Sequence, residues 1–387
     1  MVWPCLALIV LSFALALPGA WAARALGRRA RAFDGPGVSG QVKAAARSVP
    51  NTGGIAVFWA ITLPLVAAIA LLRWLPDDVW SRWLPVAVPH LAGARSVSGE
   101  GIALLAALAV LHAVGVLDDR RPLRAGLKLV VMLAVAGALV AATDSRLLTL
   151  LDSRLGPRPI GISVSFVLTV VWLIVVTNAM NFMDNMDGLS AGVAAIAATS
   201  FLAAALLAGQ WFIASCLALL VGATLGFLLF NFPFRRPATL FMGDSGSLVL
   251  GFLLAFLTVR TTYIPAARTD GPVHWYAVLM PLVTLAVPLY DFVSVCIIRH
   301  RQGRSPLLGD LQHFSHRLVR RGLSPRNAVL VIYGITAITS ITGVSLASLN
   351  GWQAALAGLQ TALVLAVLAL YESVGPPASD PALRPKP

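Results

Sequence analysis

Eleven apolar runs, each close to the length of a bilayer, punctuate this chain and leave few architectures open: Val2–Ala23, Gly53–Leu72, Gly101–Leu117, Leu129–Thr143, Ile160–Thr177, Leu189–Gly209, Trp211–Phe230, Ser245–Val259, Trp275–Ile298, Ala328–Leu349 and Trp352–Tyr371. About 20 mostly apolar residues cross the hydrocarbon core as a helix. In lipid every backbone polar group must be satisfied within the segment, which helices achieve. The fourth and eighth runs are short and need flanking residues. Composition agrees, with 58% hydrophobic residues, 12% charged residues and a mean hydropathy of +0.84. The expectation is an all-α polytopic membrane protein of about eleven transmembrane helices. The first run ends near "PGAWAA", which resembles a signal-peptide cleavage site, but it has no basic segment before it and arginines follow it. It reads as a helix that stays, with its N-terminus outside. Cys5, Cys216 and Cys296 all sit inside apolar runs and read as small packing residues.

With that start, 21 of the 29 Lys and Arg residues fall in inward-facing loops and 8 in outward-facing ones. The positive-inside rule then places the C-terminus in the cytoplasm and makes the net charge of +13 largely a topology signal. Nucleic acid is not an expected partner, because the basic residues are spread over loops beside a membrane. Residues 373–387 read as a disordered cytoplasmic tail to a single integral membrane catalytic domain spanning 1–387.

The polar stretches share one side. "VPNTGGIAVF", "GVLDDRRPLRAGLK", "NAMNFMDNMDGLSAG", "NFPFRRPATLFMGDSGS" and "GDLQHFSHRLVRRG" all fall at inward ends. Asp118 and Asp119 are adjacent carboxylates, suited to a general base or a metal-facing pair, or else to a solvated helix end. Lys128 stands at headgroup level, able to meet a phosphate or to snorkel. Asn178, Asn181, Asp184 and Asp187 repeat every three residues. On an α-helix that spacing drifts around the cylinder, so either the end winds as 3₁₀ or the groups address different places. They are oxygen donors of the kind a hard cation prefers, with no cationic neighbour in sequence. Asp244 lies between glycines at a helix start, where Ser245 and Ser247 are candidate caps and a phosphate is favoured. His313, His316 and Arg317 suit a diphosphate or lipid phosphate better than zinc, for which a third ligand is lacking. Asp291 is the one acid well inside an apolar run and needs a partner, Arg299 or a polar group of a neighbouring helix.

Together, over about residues 50–320, these stretches resemble the polyprenyl-phosphate N-acetylhexosamine-1-phosphate transferase family, and its undecaprenyl-phosphate GlcNAc-1-phosphate branch most. The resemblance implies transfer of a sugar 1-phosphate, most often GlcNAc-1-phosphate, from a UDP-sugar to undecaprenyl phosphate, with release of UMP. It implies Mg²⁺, replaceable by Mn²⁺, and an active site on the cytoplasmic face of the bacterial inner membrane. By the family's pattern Asp244 is the chief metal ligand, with Asn181 and Asp184 beside it. Phe182, Asp187 and Asn231 become nucleotide neighbours, and Asp118 and Asp119 the catalytic pair. Lys128, His313, His316 and Arg317 take phosphate or lipid-phosphate roles. The partners implied are the UDP-sugar, the lipid phosphate, the bilayer and, as a candidate, a second copy of the chain. Departures are Asp184–Asn185 where many members have Asp-Gly, and a His-x-x-His-Arg motif that disfavours the muramoyl-pentapeptide branch. UDP-MurNAc-pentapeptide or another UDP-N-acetylhexosamine remains the alternative donor. The rival class is a secondary transporter, against which stand the absence of an internal repeat and the gathering of polar groups at one face rather than the midplane.

Overall fold

The structure is a computed structural model that describes residues 2–33, 47–147, 149, 158–261, 278–306 and 309–373. The tail expected at 373–387 lies, after Ser373, outside the described residues. Fifteen α-helices follow in order: α1 Val2–Arg29, α2 Gly53–Trp74, α3 Asp77–Trp83, α4 Leu91–Ser96, α5 Ser98–Arg120, α6 Ala125–Thr143, α7 Arg158–Phe182, α8 Leu189–Leu207, α9 Trp211–Asn231, α10 Asp244–Arg260, α11 Met280–Thr284, α12 Ala286–Arg301, α13 Phe314–Arg320, α14 Pro325–Ser345 and α15 Gly351–Ser373. Among the described residues there are no strands beyond two isolated bridges, Phe33 with Pro50 and Asn51 with Phe241.

Among the described residues nine helices are long and apolar enough to cross a membrane, namely α1, α2, α5, α6, α7, α8, α9, α14 and α15. The chain is an integral membrane protein. Two of the eleven expected runs take other forms. The eighth, α10, has 17 residues, about 26 Å of helix. The ninth is broken into α11 and α12 at Leu285. Pro288 accounts for the break: it has no N–H to donate to the Thr284 carbonyl, and its ring clashes with that group. The fourth run gains its missing length at its front, where α6 begins at Ala125 and takes in Lys128.

Helix α10 is the centre. All of its residues from Ser245 to Thr258 are buried, and it packs against α7, α5 and α2. A first shell so complete lets a short helix sit at membrane depth without meeting lipid. Its neighbours approach at backbone distance. A methyl group at Gly54 would collide with the backbone of Gly246 and Ser245, and one at Gly115 would stand 2.5 Å from Ser245 Cα. Small residues at helix crossings are what allow such approach in membranes. An Arg260–Glu100 ion pair of 2.7 Å ties the far ends of α10 and α5, so the two run antiparallel. Helices α1, α6 and α15 lie outermost.

Candidate active site

The first turn of α10 is held from three sides. Gly243 precedes it with φ +72° and ψ 178°, a backbone region open essentially to glycine alone. The Gly53 and Gly54 amides donate to the carbonyls of Phe241 and Met242 at 2.8 and 2.9 Å, which joins the "PNTGG" stretch to "FMGDSGS". The Asp119 carboxylate, from the end of α5, accepts from the amides of Asp244 (2.8 Å) and Ser245 (3.1 Å), and from Asn51 Nδ2 at 3.1 Å. Asp119 is therefore the cap of α10, supplied by another helix. The expected caps, Ser245 and Ser247, instead donate to the carbonyls of Met242 and Gly243. The amides expected to favour a phosphate already hold a carboxylate. Local sequence suggested self-capping; the packing of α5 against α10 decides otherwise. Below, His112 Nδ1 lies 2.9 Å from the Ser245 carbonyl, and its ring stacks on Phe58 at 4.1 Å.

With its backbone fixed, Asp244 points its carboxylate into a chain of polar groups from three helices. Lys128 Nζ is 2.5 Å from Asp244 Oδ2 and 3.1 Å from Asp118 Oδ2. The other Asp118 oxygen accepts from the Leu123 amide at 2.7 Å. The other Asp244 oxygen accepts from Asn181 Nδ2 at 2.9 Å, and Asn181 also donates to Ser247 Oγ at 2.9 Å. The side chains of Lys128, Asp118 and Asp244 remain 21%, 16% and 23% exposed, so the cluster opens to the surroundings. By formal charge the two carboxylates of Asp118 and Asp244 outnumber the one ammonium of Lys128, and Asp119 is a further acid beside them.

The three-residue repeat resolves into separate roles. Helix α7 stays α-helical to Phe182 and then turns. Asn178 bonds back to the Ile174 carbonyl of its own helix, Asn181 reaches Asp244, and Asp184 lies in the turn. Asp187 accepts from the Ala238 amide at 2.9 Å and from both terminal nitrogens of Arg47. The cation missing from the local sequence is Arg47, which also lies over the Phe241 ring at 4.7 Å. Asn231, expected at the nucleotide, is 4% exposed, and both its polar atoms are engaged. It accepts from the Gly188 amide at 2.7 Å and donates to the Leu240 carbonyl at 2.9 Å. In this structure the buried amide holds the turn, bonded to Gly188 on one side and Leu240 on the other. Tyr333 completes that hold by donating to the Gly188 carbonyl at 2.5 Å.

Helix α13 closes the site beside α7. Phe182 is enclosed by Phe292 and His313, with the Arg299 guanidinium over its ring at 5.2 Å. Ser315 donates to Asn185 Oδ1 at 2.5 Å. The partner of Asp291 is not Arg299, which pairs with Asp310 at 2.9 Å, but His313 Nδ1 at 2.9 Å and the Phe314 amide at 2.5 Å. Burial, helped by His313 and Arg320, lowers His316 to about 4, so its ring is neutral at pH 7. Arg317, to which the resemblance gives a phosphate role, is held inside the protein in this structure. It is 7% exposed and engaged with Glu372, Ser294 and the Gln312 carbonyl. Its charge pins α13 to α12 and α15.

Sequence reasoning thus named Asp118, Lys128, Asn181, Phe182, Asp244 and His313, and the structure gathers them at one end of the bundle. It missed Arg47, Asn51, His112 and Tyr333. His112 alone carried a signal, as the one titratable group within the apolar part of α5.

Residues 101–262 match the model of glycosyl transferase family 4. The chain is 35% identical over 247 residues to a probable undecaprenyl-phosphate N-acetylglucosaminyl 1-phosphate transferase of Bacillus subtilis, covering 63% of this chain and 65% of that one. It is 31% identical over 315 residues to a decaprenyl-phosphate N-acetylglucosaminephosphotransferase of Mycobacterium tuberculosis, covering 76% and 72%. To an undecaprenyl-phosphate alpha-N-acetylglucosaminyl 1-phosphate transferase of Escherichia coli it is 29% identical over 250 residues, covering 62% and 64%. The chain thus spans about two thirds of the length of the curated relatives it matches. The matched segment holds the Asp118–Lys128–Asp244–Asn181 cluster and the helices that build it, and the chain belongs to the polyprenyl-phosphate N-acetylhexosamine-1-phosphate transferases of glycosyl transferase family 4.

Proposed function

We infer that this protein transfers N-acetylglucosamine 1-phosphate from its UDP-sugar to a polyprenyl phosphate, releasing UMP, at the cytoplasmic face of a bacterial inner membrane. The observation that carries this reading is the Lys128 ammonium set between Asp118 and Asp244 at the end of the bundle. The relatives' names supply the sugar and the lipid. The excess of basic residues in the loops at this end supports the cytoplasmic face.

Two phosphate-bearing substrates must meet at a cluster that is already negative. Like charges a few ångströms apart in a low-dielectric setting repel by several kcal/mol. A divalent cation is therefore needed on charge grounds, and the donor set suits Mg²⁺: the carboxylates of Asp244 and Asp118 and the amide oxygen of Asn181 are hard oxygens. Asp184, in the following turn, is the further candidate ligand. Among the described residues no group of three or more His, Cys, Asp or Glu side chains is arranged to hold a metal alone. That accords with Mg²⁺, which keeps waters and takes substrate phosphate oxygens as ligands. When bound it neutralises the diphosphate and the departing UMP.

The chain's own residues do the rest. Asp118, fixed by the Leu123 amide, takes the remaining proton from the lipid phosphate. The freed oxygen attacks the β-phosphorus of the UDP-sugar; the new P–O bond forms as the bond to UMP breaks, and UMP leaves with those electrons. Lys128 balances the charge that gathers between Asp118 and Asp244. Phe182 and Asp187 form the nucleotide side, with Asp187 held in place by Arg47 and the Ala238 amide. The test is release of UMP from UDP-GlcNAc by the purified protein with undecaprenyl phosphate and Mg²⁺, run beside other UDP-sugars. No release with any donor refutes the activity; release only with UDP-MurNAc-pentapeptide refutes the sugar.

A further inference from the structure

The most enclosed acid among the described residues takes no part in the cluster above. Asp291, on α12, is 0% exposed. One oxygen accepts from the Phe314 amide at 2.5 Å and the other lies 2.9 Å from His313 Nδ1. The first bond caps α13, whose opening residue is Phe314. The second fixes the ring of the preceding residue. His313 also meets the Phe182 ring edge-on, with centroids 5.3 Å apart. Phe182 adjoins Asn181, which bonds Asp244. His313 is thus wedged between a buried carboxylate and the end of α7. Its Nδ1 is engaged, and Nε2 has no hydrogen-bond partner among the described residues.

We propose that Asp291 is a positioning residue: it orients His313 through Nδ1 and balances the charge of the imidazolium, so that Nε2–H is donated to the phosphate oxygens of the nucleotide sugar. The deduction rests on the proposed transfer for its ligand and on geometry for the rest. A carboxylate at Nδ1 selects one tautomer and balances the charge when the ring takes a second hydrogen. The ring then donates from Nε2 in a charge-assisted bond, the strong kind for a phosphate. Burial excludes water as a competing partner for the carboxylate.

Asp291→Asn separates this role from capping. The amide oxygen still accepts from Phe314, which leaves the NH₂ group facing His313 Nδ1. The ring must then accept there and carry its single hydrogen on Nε2. Such orienting partners are worth about 10–100-fold in activity. The experiment combines a mutant cycle with nitrogen NMR of the six histidines in ¹⁵N-labelled full-length protein, His313 being assigned by its loss in His313→Ala. Asp291→Asn should lower kcat/KM for UDP-GlcNAc by about 10–100-fold. It should cost nothing further in the His313→Ala background, because the two act as a unit. The His313 signal should show a protonated Nδ1 in the wild type and an unprotonated one in Asp291→Asn. Titration of the wild type with UDP-GlcNAc should move Nε2, which tests the idea even if the variant does not fold. Additive losses, an unchanged ring signal in Asp291→Asn, or a wild-type Nε2 indifferent to UDP-GlcNAc would each overturn it. If the wild type releases no UMP from any donor, the transferase reading fails while the ring signal still decides whether Asp291 governs His313.

Discussion

Replacing Asp119 by Asn removes one charge and one acceptor from beneath the first turn of α10. The carboxylate serves three donors: the amides of Asp244 and Ser245, and Asn51 Nδ2. Asparagine offers one oxygen, so at least one backbone amide then faces an NH₂ group. A hydrogen bond to a charged acceptor contributes about 1.5–3 kcal/mol, and a lost N-cap costs about 1 kcal/mol in a typical helix. Removing a half-buried charge offsets part of this, which leaves a net destabilisation of about 2 kcal/mol. The loss is concentrated where Asp244 is held, so chemistry suffers as well as stability. A displacement of about 1 Å at a reacting group costs on the order of 10²-fold in rate. The assay pairs thermal unfolding in detergent with UMP release. Asp119→Asn should lower the melting temperature by several degrees and kcat by about 10²-fold, and Asn51→Ala should show a weaker version of both. A variant with unaltered melting temperature and abolished turnover would refute the capping role and make Asp119 a substrate or metal contact.

Asp118→Asn should lose about 10²–10⁴-fold in kcat, as for removal of a general base, with little change in KM for the UDP-sugar. Because the second pKa of a phosphate monoester is near 6, the deficit should shrink as pH rises from about 6 to 9; a flat deficit would make Asp118 an electrostatic group instead. Asp244→Asn should remove most activity while the protein still inserts and purifies, and near wild-type turnover at limiting Mg²⁺ would dismiss it as a ligand. A cysteine at Ser305 should resist an impermeant thiol reagent in intact cells and react in inverted vesicles; labelling from outside would reverse the orientation.

Hydropathy determines much of the helical architecture, because transfer to lipid is a local and nearly additive property of a segment. The runs become helices, and the polar stretches between them gather at one end. The composition of those stretches also named Asp118, Lys128, Asn181 and Asp244. Pairings were another matter. Nothing in "LDDRR" distinguishes the carboxylate that meets Lys128 from the one that caps α10. That distinction comes from the approach of α5 to α10, which Gly115 permits by leaving room for Ser245. Arg47 and Asp187 are separated by 140 residues and His313 and Asp291 by 22. A residue's type limits what it can bond, but which partner it finds depends on how each helix is rotated against the next. Asn231 and Arg317 resemble ligand contacts in the family's pattern; only packing shows that both are buried and bonded within the protein. The helices follow from the energy of single segments in lipid, whereas the site exists only in the arrangement of several helices at once.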